Sequence, residues 1–394
     1  MRPARIRIRA RLPIGRGTDV ITGKLGPDDV DALQRGASLL GSGGGGDSHL
    51  SALWLSTELA SGAEARLIGI DELDQGWVLV LCAFGSTASV AIEKLPAGDE
   101  LRRCVSTAER QLGVAVDAIG VVEIGGSNAL VPFIAAAQTG KPVVDGDLMG
   151  RAFSRLDQTV FTAAELTGAW VSAEAHGAAV IVDGVDARTA ERVMRGALTG
   201  LGGWAVLAYP PIPAQIYRNV ALPGTVAEVI RLGRRHQEGE AAGDDGKALA
   251  ERLGGNFLGQ GTVLEVYRYE GRAFASGSVA VQTVDEHVLT HTLGSASDHP
   301  PVLRVEMQNE YSMVLRDGEV VVTTPDVICV LDAHTLRPIQ TGQVRRGHEV
   351  AVLTLPVPDR LWQQDILARI GPRAHGVDVD PVRAQVSPPR RPTR

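Results

Sequence analysis

The hydrophobic period changes along the chain, and no other feature constrains the fold as much. Before about Phe257, short apolar runs of strand length alternate with segments whose apolar residues recur three and four positions apart. Beyond Phe257 the period falls to two. TVLEVYRYEGRAFASGSVAVQ reads as a hairpin turning at Glu270-Gly271, and VLRVEMQNEYSMVLRDGEVVVTT as another turning at Asp317-Gly318. VICVL and EVAVLTLPV add further strands. The first pattern predicts helices packed on a mostly parallel sheet, and the second predicts hairpins. The expected fold class is therefore an α/β N-terminal domain with a mainly β C-terminal domain. The expected boundaries are a disordered basic arm over 1–25, an α/β domain over 26–183, a β-rich domain with leading helices over 184–382, and a disordered tail over 383–394.

Within the first half, Pro27 opens a helix carrying Val30, Leu33, Ala37 and Leu40 on one face. A second helix behind Asp47 carries Leu50, Leu53, Trp54 and Thr57. ARLIGI, WVLVLCAFG, Ala118–Ile124, KPVVDGD, AAVIVDG and WAVLAYP read as strands. Helices are predicted over Asp99–Leu112, Asn128–Thr139, Asp186–Leu201 and Thr225–His236. The polar, glycine-rich run Glu238–Lys247 reads as an exposed loop.

Between the first two helices lies Gly41-Ser42-Gly43-Gly44-Gly45-Gly46-Asp47. Successive glycines let backbone N–H groups approach a ligand closely, and Asp47 or Ser48 could cap the second helix. A plain helix–helix turn is the competing reading. Two further polar clusters stand at predicted strand ends, where open α/β sheets build their sites. One is Glu123 to Asn128. The other is Asp145-Gly146-Asp147, running on to Arg151. The two aspartates could hold a cation, or one could shuttle protons beside Arg151; capping of local backbone is the alternative for each. All three loops are expected to converge on one pocket near the domain junction. Asn309, Glu310 and Asp326 are the next residues to consider if these groups prove structural. His287 and His291 stand four apart, but in a strand-like setting without a HExxH pattern, and His176 beside Glu174 reads as a loop histidine. Cys82 reads as a buried small hydrophobe, and no GxSxG elbow is present.

The 394 residues carry a net charge of −7, which argues against a nucleic-acid partner. No apolar run reaches the ~20 residues of a membrane span. Cys82, Cys104 and Cys329 are widely spaced, and the Arg-rich start has no apolar segment, so a reducing cytoplasm is the expected compartment. Apolar patterning on several helices, with the acidic charge, leads us to expect a homo-oligomer.

LGSGGGGD, VEIGGSNALVPFIAA, KPVVDGDLMGRAF, RDGEVVVTTPDVICVLD and GPRAHGVDVD, in that order from roughly Gly26 to Val382, resemble the S-methyl thiohydantoin desulfurase family. That family is associated with hydantoinase/oxoprolinase proteins. The resemblance implies hydrolytic loss of a thiol from an S-methyl thiohydantoin or related cyclic imide-like ring, leaving a hydantoin. For that reaction Glu123, Asp145 and Asp147 are the candidates for general base or metal ligand. Asn128 and Arg151 would orient the ring, and Gly43, Gly44, Gly45, Gly46 and Asp47 would receive a carbonyl or carboxylate. No role is carried onto His287, His291 or His299. No cofactor is certain, and a divalent metal stays open. Two rival expectations are a non-catalytic ligand-binding subunit, with a hydantoinase-like partner, and an amidohydrolase-type ring opener.

Overall fold

Two sheets take up the strands, one for each hydrophobic period. A computed structural model describes residues 22–85, 94–161, 168–173, 177–269, 276–283 and 301–384. The chain enters on β1 (Gly23–Lys24), so the last residues assigned to the arm pair with β2 (Arg66–Gly69) instead. Residues 1–21 of the arm and nearly all of the tail lie outside the described residues.

Between β1 and β2 run α1 (Pro27–Leu40) and α2 (Ser48–Ala60). β3 (Trp77–Gly85), α3 (Glu100–Leu112), β4 (Ala118–Val121), α4 (Val131–Thr139) and β5 (Val143–Asp147) follow. β6 (Trp170–Ala173), β7 (Ala179–Val182), α5 (Ala187–Ala197) and β8 (Trp204–Ala208) come next. β9 (Ile212–Pro213), α6 (Ala214–Val220) and β10 (Leu222–Pro223) complete the sheet. Its strand order is β1-β2-β5-β4-β3-β8-β6-β7, with β9 beside β3 and β10 beside β5.

β2, β5, β4 and β3 run parallel, and every other pairing is antiparallel, so the sheet is mixed rather than mostly parallel. The cause is β8. It returns from α5 directly against β3 in antiparallel register, Leu81 opposite Ala208, and the β6–β7 hairpin extends from it. The buried runs in β3, β4 and β5 are those of strands covered on both faces. β8, β9 and β10 carry this sheet past residue 183.

α7 (Thr225–Ala242) and α8 (Gly246–Leu253) then lead to the second sheet. They correct the loop expected at Glu238–Lys247. α7 continues to Ala242, Gly243 ends it in the left-handed region, and Asp245 caps α8 by accepting the Ala248 N–H. The polar residues there serve a helix surface, with Glu240 paired to Arg35 of α1.

The second sheet contains β11 (Asn256–Tyr269), β12 (Ser276–Thr283), β13 (Val302–Gln308), β14 (Glu310–Arg316) and β15 (Glu319–Thr323). β16 (Val327–Asp332) and β17 (Glu349–Leu355) close it in the order β15-β14-β13-β12-β11-β17-β16, antiparallel throughout. It curls: Val279, Val305 and Val314 share one core with Ile328, Val330 and Val352. The hairpin at Asp317-Gly318 is present, both residues having positive φ as a two-residue turn requires. The last helix, α9 (Gln364–Ile370), is short.

Candidate active site

Asp47 caps α2 by accepting the His49 N–H at 2.9 Å, as its position predicts. The chain before it is held from two directions. Ser42, fully buried, donates its hydroxyl to the carbonyls of Tyr311 (3.0 Å) and Ile328 (2.8 Å), and its own carbonyl accepts the Tyr311 N–H at 2.7 Å. Gly43 O accepts the Thr341 N–H at 2.9 Å. These bonds stitch the turn to the second sheet. On the other side Ser127 N donates to Gly45 O and Ser127 Oγ to Asp47 O, both at 2.8 Å. Gly126 sits at φ +65°, and a Cβ there would come within 2.1 Å of Gly45 O. Only glycine meets both demands.

The third loop joins them. Ala152 N donates to Leu40 O at 3.1 Å, and Phe153 N donates to Glu123 Oε2 at 2.9 Å. The three loops named from the sequence therefore lie against one another. They border a cavity of about 1100 Å³, at the upper end of what a small-molecule site needs.

Its lining takes in Gly43, Gly44, Gly45, Gly46, Asp47, Glu123 and Asn128, and leaves out Asp145, Asp147 and Arg151. Each of those three is hydrogen-bonded to backbone instead. Asp145 Oδ1 accepts the N–H groups of Val226 and Ala227, both at 3.0 Å, at the start of α7. Asp147 Oδ2 accepts from Met149 (3.0 Å) and Gly150 (2.6 Å), tying off the loop that follows β5. Arg151, fully buried, donates to the carbonyls of Ala152, Pro325 and Asp326, fastening this loop to the second sheet.

Glu123 is held in place from both ends. Asn128 Nδ2 donates to its Oε1 at 2.6 Å, while Phe153 N reaches Oε2. Burial pushes its carboxyl up to about 8 against those two hydrogen bonds, and nearby Glu310 and Asp147 push the same way. Glu310 comes from β14 and also lines the cavity. Burial raises it to about 7, opposed by the Arg151 guanidinium and by the Asn309 amide, which donates to Oε1 at 2.5 Å. That oxygen lies so close to the glycine turn that a Cβ on Gly44 would come within 2.6 Å of it. Asn309 itself adopts φ +64°.

The site therefore has two buried carboxyls that titrate near neutrality. The sequence marks Glu310 less strongly than Glu123. Its signal is the polar pair Asn309-Glu310 interrupting a strict period-two pattern between β13 and β14. Cys82 borders the cavity as a neutral thiol, its pKa driven well above the ordinary value first by burial and then by Glu123. Among the described residues no three His, Cys, Asp or Glu side chains stand together to hold a metal ion. His176, His287, His291 and His299 lie outside those residues, as does Glu174. Among the described residues no helix is long and apolar enough to cross a membrane.

Two sequence profiles, the N-terminal and C-terminal domains of S-Me-THD-like proteins, match residues 28–184 and 185–384. The chain belongs to the S-Me-THD-like family. Membership associates it with hydantoin metabolism. The S-Me-THD-like fold is also that of a crystal structure of a protein from Chromobacterium violaceum, with a TM-score of 0.72 and 21% identity over 92% of this chain and 100% of that one. At that identity the likeness is one of fold. No curated protein matches this S-Me-THD-like chain.

Proposed function

We propose that the protein is a hydrolase that removes the sulfur substituent from an S-methyl thiohydantoin or related cyclic imide-like ring, giving a hydantoin and a thiol. The observation that carries this reading is the pairing of Glu123 and Glu310 in one cavity, both raised toward neutrality by burial. Two carboxyls with different pKa values near the working pH divide naturally into a base and an acid.

Glu310, the more acidic, takes a proton from water as the water oxygen bonds to ring C2. Glu123, still protonated near pH 7, gives its proton to the ring nitrogen as the C2=N π bond opens. The tetrahedral centre then collapses. The C2–S bond breaks, C2=O forms, and the sulfur leaves with the proton held by Glu310, while the hydroxyl proton restores Glu123. Substrate and water become hydantoin and methanethiol, with every atom accounted for. Asn128 positions Glu123, and backbone N–H groups of the Gly43–Gly46 turn receive the ring carbonyl. Asp145 and Arg151 act as supports for this arrangement, and no step is assigned to Asp147.

Purified protein incubated with S-methyl thiohydantoins should release thiol, read with a thiol reagent, and leave a hydantoin by mass spectrometry. Glu310→Gln should lose at least about 100-fold in rate. Absence of thiol release across the panel sinks the reading. The rival is a non-catalytic ligand-binding subunit of a hydantoinase/oxoprolinase-like complex. It is favoured by the fact that both Glu123 oxygens already accept hydrogen bonds. It requires saturable ring binding with no thiol released.

A further inference from the structure

α2 has an unusual burial pattern. Its sequence, SHLSALWLSTELA, is apolar on more than one side, yet only Ser48 and Leu55 are buried. Leu55 faces the core. The stripe of Leu50, Leu53 and Trp54, which helical spacing marks as a core face, borders the cavity: Trp54 also packs against the core, whereas Leu53 is 58% exposed. Phe84, Leu101 and Trp204 also line the cavity. Trp54 is not loose on this wall. Its Nε1 donates to Glu58 Oε1 at 3.2 Å, and Glu58 is itself anchored by Gln138 Nε2 at 2.7 Å.

A bare five-membered ring with a methylthio group has too few atoms to fill about 1100 Å³. The polar groups that handle such a ring, Glu123, Glu310 and the glycine turn, account for only part of the lining. The rest is dominated by large apolar side chains. Two guanidiniums also reach the lining, but each has a carboxylate of its own. Arg155 pairs with Asp157 at 2.9 Å, and Arg195 pairs with Glu191 at 2.5 Å while stacking on Phe84. Neither offers an uncompensated charge to an anionic substituent.

Resting on the reaction proposed above, we infer that the substrate class is a hydantoin-type ring bearing a bulky apolar substituent at C5, aromatic or branched aliphatic, and that α2 is the specificity wall that reads it. The substituent covers Leu50, Leu53 and Trp54, removing from water an apolar surface that the fold leaves open. A ring with a small or an anionic substituent leaves that surface wet.

Binding tests this independently of turnover. Calorimetry with the unreactive 5-benzyl, 5-isobutyl, 5-methyl and 5-carboxymethyl hydantoins should give at least about tenfold tighter binding for benzyl and isobutyl than for methyl, with carboxymethyl weakest. Trp54→Ala and Leu53→Asp should each bring benzyl down toward methyl. Leu53 is exposed enough that the second variant folds whatever happens to the first. Equal affinity for benzyl and methyl, tightest binding of carboxymethyl, or an unchanged preference in Leu53→Asp overturns the inference. Thiol release from the matching S-methyl thiohydantoins is read separately. A benzyl preference without thiol release defeats the proposed reaction and leaves the specificity wall standing, whereas thiol release without a preference does the reverse.

Discussion

Asn128 and Glu123 are locked in one orientation: the Asn128 amide donates to Glu123 Oε1 at 2.6 Å, and its own Oδ1 accepts the Ala83 N–H at 2.7 Å. The amide cannot flip without losing both bonds. An aspartate at this position would keep the Ala83 bond and set a second carboxylate against the first. We expect Asn128→Asp to cost about 2 kcal/mol or more at pH 10, above the range in which Glu123 keeps its proton. The loss should shrink below pH 6. Urea denaturation at the two pH values measures it.

The carboxyl pair should give a bell-shaped rate profile. The rate falls below about pH 7 as Glu310 takes up a proton, and falls above about pH 8 as Glu123 loses its own. Glu310→Gln should remove the acid limb together with most of the rate, and Glu123→Gln should remove the alkaline limb. A profile of kcat/KM against pH for the three proteins decides it.

Stability has its own pH signature. Glu123 is raised in the fold relative to an ordinary unfolded glutamate, so the folded state holds the proton more tightly. Its contribution is complete below the unfolded pKa near 4.3 and disappears as pH climbs through about 8. His375, lowered to about 4 first by burial, acts the opposite way below its unfolded value of about 6.5. Between pH 6.5 and 8.5 the carboxyl effect stands apart. Tm should drop across that window in the wild type, and by less in Glu123→Gln.

Asp145 serves as a helix cap at a distance. Removing its acceptor in Asp145→Ala leaves the Val226 and Ala227 N–H groups short of a partner, at a cost of about 1–2 kcal/mol. Thiol release at a permissive temperature should persist. Loss of turnover in a folded Asp145→Ala protein would return this carboxylate to the chemistry.

Glycine substitutions should separate by location. Gly126→Ala drives a methyl group into Gly45 O and adopts a left-handed φ, so we expect about 3 kcal/mol of destabilisation or failure to fold. Gly62→Ala, also at positive φ but with open space around it, should cost about 1 kcal/mol. Thermal unfolding of the pair compares the two.

What the sequence made legible is local. The run WVLVLCAFG, the Pro27 helix start and the Asp317-Gly318 turn are each specified by neighbours in the chain, and each is where the pattern puts it. The direction of β8 was not legible, because pairing with β3 joins segments more than a hundred residues apart. For the same reason the backbone partners of Asp145 cannot be read from its neighbours: Val226 and Ala227 lie about eighty residues downstream. The Asn128–Glu123 hydrogen bond, by contrast, joins residues only five apart and needs no long-range pairing. Periodicity marked the α2 stripe correctly as a shared face but could not say whether that face meets core or cavity.

The bonds from Ser42 to Tyr311 and Ile328 also limit how such a protein can diversify. They seat a residue of the first family domain among strands of the second, while Glu310 from the second closes the chamber begun by the first. Recombination at the junction near residue 184 would join a turn to strands that had not evolved to receive it. A chimera joined at that point should therefore lose both the Ser42 anchor and the closed chamber, even with each half intact.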